Sequence, residues 1–471
     1  MRERQEIQEV SRLGLTGLAA PPPIRSDPNR GHLRFLLHAV YSVVAGIVVI
    51  LAAPWWIGRS FLDAHFRTMI LGRLTIGLRR LPPTEHPRIL VHGVSVGEVK
   101  AAQPIVRAIA RAHPRAEIIV SATTGTGLEV GAKLFSDLPV VGFPADFEFL
   151  VRRFLRRVRP TCVVLIELEI WPNFLRCANR AGVPVVVANG RITDRSFRRY
   201  GVFRSTLPQF NRISLFCAQD ETYAKRFTEL AHSGARVVVT GNVKADGLRL
   251  GRPWSPDRRR ETEPGSPEAQ AEGLAGVAES DLVIVAGSTH GDEDSWVARA
   301  VLAGAPGARL VLAPRHPTRT REIVSALAQL DLRAQLWTVI RTGEEAVDPG
   351  RPLVVDTIGD LESFYAIADL VFVGGSLVPH GGQNMLEPAG LGRPVIYGPH
   401  VANFSHEAAL LEDHGASIRV ADRAELERVF AQLVADPDRR EAMGIAAIRA
   451  VGTQRGASDL TLEALAHWQI L

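Results

Sequence analysis

The feature that most constrains this chain is a repeated alternation. Short apolar runs rich in β-branched residues, RILVHGV, AEIIVSAT, TCVVLIEL, VPVVVANG, ISLFCAQ and ARVVVTG, are separated by helical stretches such as FEFLVRRFLRRV and ETYAKRFTELA. Runs that are apolar throughout, rather than at every second residue, read as strands buried on both faces. Alternating with helices, such strands build a parallel sheet covered on both sides. At 251–280 the text changes to GRPWSPDRRRETEPGSPEAQAEGLAGVAES, rich in Pro, Gly and charge. The alternation then restarts with DLVIVAGST, ARLVLAPR, PLVVDTI, ADLVFVGGS, RPVIYGP and ASIRVAD. The expected architecture is α/β: two Rossmann-like doubly wound domains, 59–250 and 281–471, joined by a linker at 251–280. Ligand is expected in a cleft at the carboxyl edges of the two sheets.

One segment departs from this pattern. Residues 36–57, LLHAVYSVVAGIVVILAAPWWI, carry no charge over a length that spans a bilayer, about 20 residues. Trp55 and Trp56 stand where interfacial aromatics belong. A transmembrane helix over 33–58 is therefore expected. A cleaved signal peptide is the rival reading, disfavoured by the length of the run and the polar residues before it; a buried hairpin or an interfacial helix is a further alternative, because Pro54 weakens the end of the span. Arg59, Arg67, Arg73, Arg79 and Arg80 follow densely and place the main body on the cytoplasmic side. Residues 1–32 are polar and Pro-rich and read as a loose arm.

At 46% hydrophobic and 22% charged residues, the 471-residue chain is globular rather than disordered. Its net charge of +5 is arginine-heavy and suits an anionic substrate or membrane surface. No basic stripe is interleaved with stacking aromatics, so nucleic acid is not an expected partner. Cys162, Cys177 and Cys217 lie far apart in apolar segments, as buried free thiols do in a reducing compartment. Neither an H-E-x-x-H grouping nor a G-x-S-x-G elbow is present, and no metal is expected.

Several short stretches carry chemistry. In HGVSVGEVKAA, Ser95 and Glu98 have capping-box spacing at a strand-to-helix junction. Glu98 is either a cap or a general base at the mouth of the crevice. In IELEIWPN, Glu167 and Glu169 stand two apart after an apolar strand. On an extended segment they would point the same way as paired acids. Lys244 in TGNVKAD ends a strand, where it would neutralise charge on a leaving group or substrate carboxylate. In the second half FVGGSLVPHGGQNMLEP runs from strand to glycines to helix, and the Gly375–Ser376 turn offers N–H groups to a phosphate. Arg315, after LVLAP, is a second phosphate partner. Glu387 is either a first-turn carboxylate or an acceptor for ribose hydroxyls.

These motifs, with NGRITDRSFRRY, GSTHGDED, DTIGDLESFYAIADLVFVGGSLV and GGQNMLEPAGLGRPVIYGPH, run in order from about residue 39 to the C-terminus. Together they resemble the 3-deoxy-D-manno-octulosonic acid (Kdo) transferases of lipopolysaccharide synthesis. The resemblance implies a GT-B fold and no cofactor or metal. It implies Kdo transfer from CMP-Kdo to a lipid A precursor, lipid IVA, at the cytoplasmic face of the inner membrane.

It also implies that Glu98 is the proton acceptor and that Glu167 and Lys244 stabilise the transition state. Pro314 and Arg315 match one CMP-contacting segment. Ile358, Gly359 and Asp360 match a second, where Met-Gly-Glu is commoner. Asn384, Met385, Leu386 and Glu387 match a third, where Gln383 and Met385 replace the usual His and Pro. The arginines of 59–80 are then placed to hold acceptor phosphates. The alternatives are a GT-B enzyme with another nucleotide sugar, and an inactive membrane-tethered protein that binds sugar nucleotides.

Overall fold

The structure, a computed structural model, describes residues 31–203, 209–231, 236–257, 266–278 and 280–471. It divides into two compact units. The first comprises the chain up to Gly247 together with Gln454–Leu471, the second Leu248–Thr453.

Among the described residues, unit one forms a seven-stranded parallel sheet. Its strands are β1 (Arg88–Gly93), β2 (Glu117–Ala122), β3 (Val140–Gly142), β4 (Cys162–Ile166), β5 (Val185–Gly190), β6 (Leu215–Ala218) and β7 (Val237–Val239), ordered β3-β2-β1-β4-β5-β6-β7. The apolar runs do what continuous hydrophobicity requires. Ile89, Val91, Val164 and Val186 join one core cluster, while their neighbours Leu90, Val163, Leu165 and Val185 join another. Alternating residues of one strand thus face opposite helical layers. The order reverses between β1 and β4, and the carboxyl ends of those strands are the topological switch point of the unit.

Unit two repeats the plan with β8 (Val283–Thr289), β9 (Arg309–Pro314), β10 (Gln335–Leu336), β11 (Leu353–Val354), β12 (Leu370–Val373), β13 (Val395–Tyr397) and β14 (Ser417–Arg419). Its order is β10-β11-β9-β8-β12-β13-β14, all parallel, with the switch between β8 and β12.

The unit boundaries differ from the expected 59–250, 251–280 and 281–471. The described part of 251–280 packs with unit two. There Trp254 is buried, its Nε1 donates to Asp369 at 2.7 Å, and the Arg440 guanidinium lies 4.4 Å from its ring centroid. At the other end the helix Ala457–His467 belongs to unit one. Ala457, Ala464 and Leu465 complete the core around Ile105, Ile109 and Val243. The Asp246 carboxylate accepts from Gly456 N and from Ser458 N, both at 2.6 Å.

The membrane-spanning helix expected over 33–58 falls partly on residues whose side chains lie outside the described ones. The apolar run lies in the helix Gly31–Leu62, which contains Pro54. Among the described residues no helix is long and apolar enough to cross a membrane. The helix is joined to the rest of unit one by the Tyr41 hydroxyl, which donates to Asp146 at 3.0 Å. Residues 1–30, and with them nearly all of the expected loose arm, lie outside the described residues.

Asp246→Ala removes the carboxylate at the start of Ala457–His467. The expected loss is about 1–2 kcal/mol of stability, read as a lowered denaturation midpoint with faster hydrogen exchange in 457–467. Unchanged exchange there would show that apolar packing alone holds the helix.

Candidate active site

The three sequence-predicted residues of unit one come together at its switch point. Glu98 stands in the first turn of Val96–Ala112, the helix that follows β1. Its carboxylate folds back to accept from Val94 N and, at 3.3 Å, from Ser95 N. This is the carboxylate half of the capping box, and it fixes where the side chain points. Gly93 makes the junction possible, since a Cβ there would lie 2.8 Å from Glu98 C and Val99 N.

Glu167 follows β4 in a left-handed conformation, φ 61°. The strand ends at Ile166, so the pair Glu167 and Glu169 does not lie on the extended segment expected from its spacing. A non-glycine residue in this region costs about 1–2 kcal/mol, and such strain persists where surroundings hold it. Here Lys244 Nζ donates to Glu167 Oε1 at 2.7 Å and Arg191 Nε to Oε2 at 3.1 Å. Lys244 sits in a short turn, Val243–Asp246, N-capped by Asn242.

Glu169 completes a cluster of three acids. Burial pushes its carboxyl up to about 7, the charges of Glu98 and Glu167 add to that, and Arg73 opposes it. Glu98 is also raised from the usual carboxylate range. Burial is the main cause, the Val94 N–H opposes it, and the Glu167 charge adds to it. A buried Glu169 carboxyl beside two further acids is suited to hold a proton near neutral pH. His92, although it opens the same motif, is packing: it is fully buried, stacked on Phe143 at 3.8 Å and held neutral by burial, at about 3.

In unit two the predicted residues line the carboxyl ends of β9, β11 and β12, and they play unequal parts. Arg315 follows β9 with an exposed side chain, and among the described residues its guanidinium has no ion-pair partner. Asn384 Nδ2 donates to Glu387 at 3.0 Å, and Asn384 Oδ1 accepts from Leu386 N at 3.1 Å. That bond orients a carboxylate at the opening of the helix Leu386–Gly390. Asp360 braces its own loop, accepting from Trp337 Nε1 at 3.0 Å and facing Arg341 at 3.5 Å. Ile358 is exposed and Gly359 left-handed, at φ 107°.

Pro314, Met385 and Leu386 are buried, the last two in the core of the unit. Their side chains pack, leaving only backbone atoms for a ligand. The Gly375–Ser376 turn departs furthest from expectation. Its N–H groups are taken by the Glu293 carboxylate, which accepts from Gly375 N at 2.6 Å and from Ser376, Leu377 and His290 N at 2.9 Å each. The nest is real, with Gly375 at φ 65°, but it is filled by a fully buried protein anion. The amides of Gly375 and Ser376, expected to face a phosphate, face Glu293 in this structure. They lock β12 to the helix that follows β8.

Sequence reasoning did not single out Glu293 or Arg191, and it read Arg73 only as one of the arginines that follow the apolar segment. Each stands in an ordinary helix-opening, loop or helix-end context, and only the tertiary fold gives it an acid or an amide as partner. The three cysteines are buried free thiols, as expected.

Two parallel α/β units, each a doubly wound sheet with charged residues at its carboxyl edge, are the building blocks of the GT-B class of fold. The fold agrees with a solved glycosyltransferase from Rickettsia africae, TM-score 0.55 at 13% identity over 82% of this chain and 99% of that one. It agrees equally with a UDP-GlcNAc 2-epimerase from Neisseria meningitidis, TM-score 0.55 at 14% identity over 81% and 100%. The family is settled by sequence. Residues 71–247 match the model of the 3-deoxy-D-manno-octulosonic-acid transferase (kdotransferase) family. The chain is 33% identical over 396 residues to the 3-deoxy-D-manno-octulosonic acid transferase of Haemophilus influenzae, covering 80% of this chain and 86% of that one. It is 33% identical over 418 residues to that of Bordetella pertussis, covering 83% and 90%. The chain belongs to the Kdo transferase family.

The acid cluster carries a signed prediction. A Glu169 carboxyl raised above its unfolded value binds a proton in the fold that the unfolded chain has lost. Its contribution to stability is therefore present below about pH 4.5 and is lost as pH rises to about 7. Glu169→Gln is expected to raise the melting temperature at pH 8 and leave it little changed at pH 4.5. Equal shifts at both pH values would mean that Glu169 titrates like a free carboxylate.

Proposed function

We propose that this Kdo transferase is an inverting enzyme that moves Kdo from CMP-Kdo onto a lipid A precursor, lipid IVA, with Glu98 as general base. The observation that carries the reading is the acid cluster at the first switch point. A carboxylate pinned by two backbone N–H groups and raised by burial is oriented to take a proton from an acceptor hydroxyl. Glu167, strained and clamped between Lys244 and Arg191, holds two cations beside it. Those cations would steady the phosphate that leaves and the carboxylate of the sugar, where negative charge develops and persists.

Departure of CMP breaks the bond between the anomeric carbon and the phosphate oxygen and leaves an oxocarbenium-like centre. The acceptor oxygen then bonds to that carbon while its proton passes to Glu98. Attack opposite the leaving group inverts the centre. In unit two the unpaired Arg315 is the phosphate partner and Glu387, oriented by Asn384, the acceptor for ribose hydroxyls. No metal or cofactor takes part in this reading. A lipid acceptor places the enzyme at the cytoplasmic face of the inner membrane, and the exposed apolar residues of Gly31–Leu62 with the arginines that follow suit such a surface.

Glu98→Gln keeps the size of the side chain and an oxygen for the cap. Transfer from CMP-Kdo is expected to fall by about 10²–10⁴-fold, with CMP affinity and melting temperature little changed. Near-normal transfer with a lowered melting temperature would make Glu98 a cap alone.

A further inference from the structure

Unit one contains a cavity of about 650 Å³ that no step above uses. Its walls come from the helix Gly31–Leu62 through Ala53 and Trp56, from the helix Ala64–Arg73 through Met69 and Ile70, and from the loop after β3 through Ala145 and Phe147. The lining is mainly apolar and the volume is that of a ligand pocket.

Its polar end is specific. The Asp146 carboxylate is fully engaged, accepting from Asn173 N at 3.0 Å, Phe174 N at 2.8 Å and the Tyr41 hydroxyl at 3.0 Å. Arg73 stands beside it with its guanidinium 5.0 Å from the Trp171 ring centroid, and its buried Nη1 has no hydrogen-bond partner among the described residues. The Thr123 hydroxyl, also buried in this lining, has none either. Unpaired buried donors are costly, and in an otherwise apolar pocket they mark the place of an acceptor oxygen.

The position of the cavity narrows the occupant. Arg73 is charge-coupled to Glu169, so the polar end adjoins the acid cluster. At the other side the helix that walls the cavity exposes Val40, Val43, Val44, Ile47 and Leu51. An amphiphile that enters along an apolar helix and ends near carboxylates is a lipid chain with an oxygen at its head. We propose that the cavity binds one acyl chain of the acceptor, its carbonyl or carboxylate oxygen accepting from Arg73 Nη1. The proposal rests on the lipid-acceptor reading given above. It adds a measuring pocket that would sense whether the acceptor is acylated.

The test uses the full chain with laurate below its micellar concentration, followed by isothermal titration, so that binding is read without transfer. Two fillings, Ala145→Phe and Met69→Trp, guard against a fold defect in either, and thermal melts check both. Laurate is expected to bind the wild type and to weaken by about tenfold or more in each filling. Arg73→Met should weaken laurate but not dodecanol. Absent binding to the wild type, or undiminished binding to both folded fillings, would overturn the proposal. Binding that follows this pattern in an enzyme that transfers no Kdo would keep the acyl pocket and sink the transferase substrate reading instead.

Discussion

The site depends on one electrostatic constraint, the crowding of carboxylates in a place that water reaches poorly. Glu98, Glu167 and Glu169 all stand at the carboxyl ends of β1 and β4, where the sheet order reverses. Isolated, any of them would be a poor base at neutral pH, because an ordinary carboxylate holds a proton too weakly. Together they divide the work. Glu167 is ionically saturated by Lys244 and Arg191, while burial raises the other two. The backbone N–H groups of Val94 and Ser95 keep Glu98 from moving away from that field. Capping and the proposed base role are thus compatible in one residue, since the cap sets the direction of the carboxylate and burial raises its proton affinity.

The second unit solves the same geometric problem differently. Its switch point, between β8 and β12, also gathers N–H groups that call for an anion. The chain supplies one internally in Glu293, with His290, Gly375, Ser376 and Leu377 as donors. What remains for an outside anion is Arg315, without an ion-pair partner among the described residues, while the Asn384–Glu387 pair offers an acceptor to hydroxyl groups. Recognition of a nucleotide would therefore rest on side chains at the ends of β9 and of the glycine loop rather than on the nest.

Much of this was legible in the sequence, for a physical reason. Parallel strands buried on both faces must be apolar throughout, so RILVHGV and DLVIVAGST announce their layer without any tertiary knowledge. Glu98 was legible because capping boxes are local, and Glu167 and Lys244 because each follows an apolar strand. What could not be read depends on contacts between distant segments. Glu293 meets residues more than 80 positions away, Arg73 meets Trp171, and the helix Ala457–His467 returns to the first unit. The left-handed Glu167 was invisible too, since nothing in IELEIWPN marks a break after Ile166.

The proposed function makes CMP-Kdo the donor of this Kdo transferase. The most direct measurement incubates the purified full-length protein with a lipid A precursor and either CMP-Kdo or UDP-GlcNAc, and follows the mass of the lipid product. The account predicts addition of Kdo from CMP-Kdo, with release of CMP, and no sugar addition from UDP-GlcNAc. Sugar transfer from UDP-GlcNAc, or an unmodified lipid in the presence of CMP-Kdo, would contradict it.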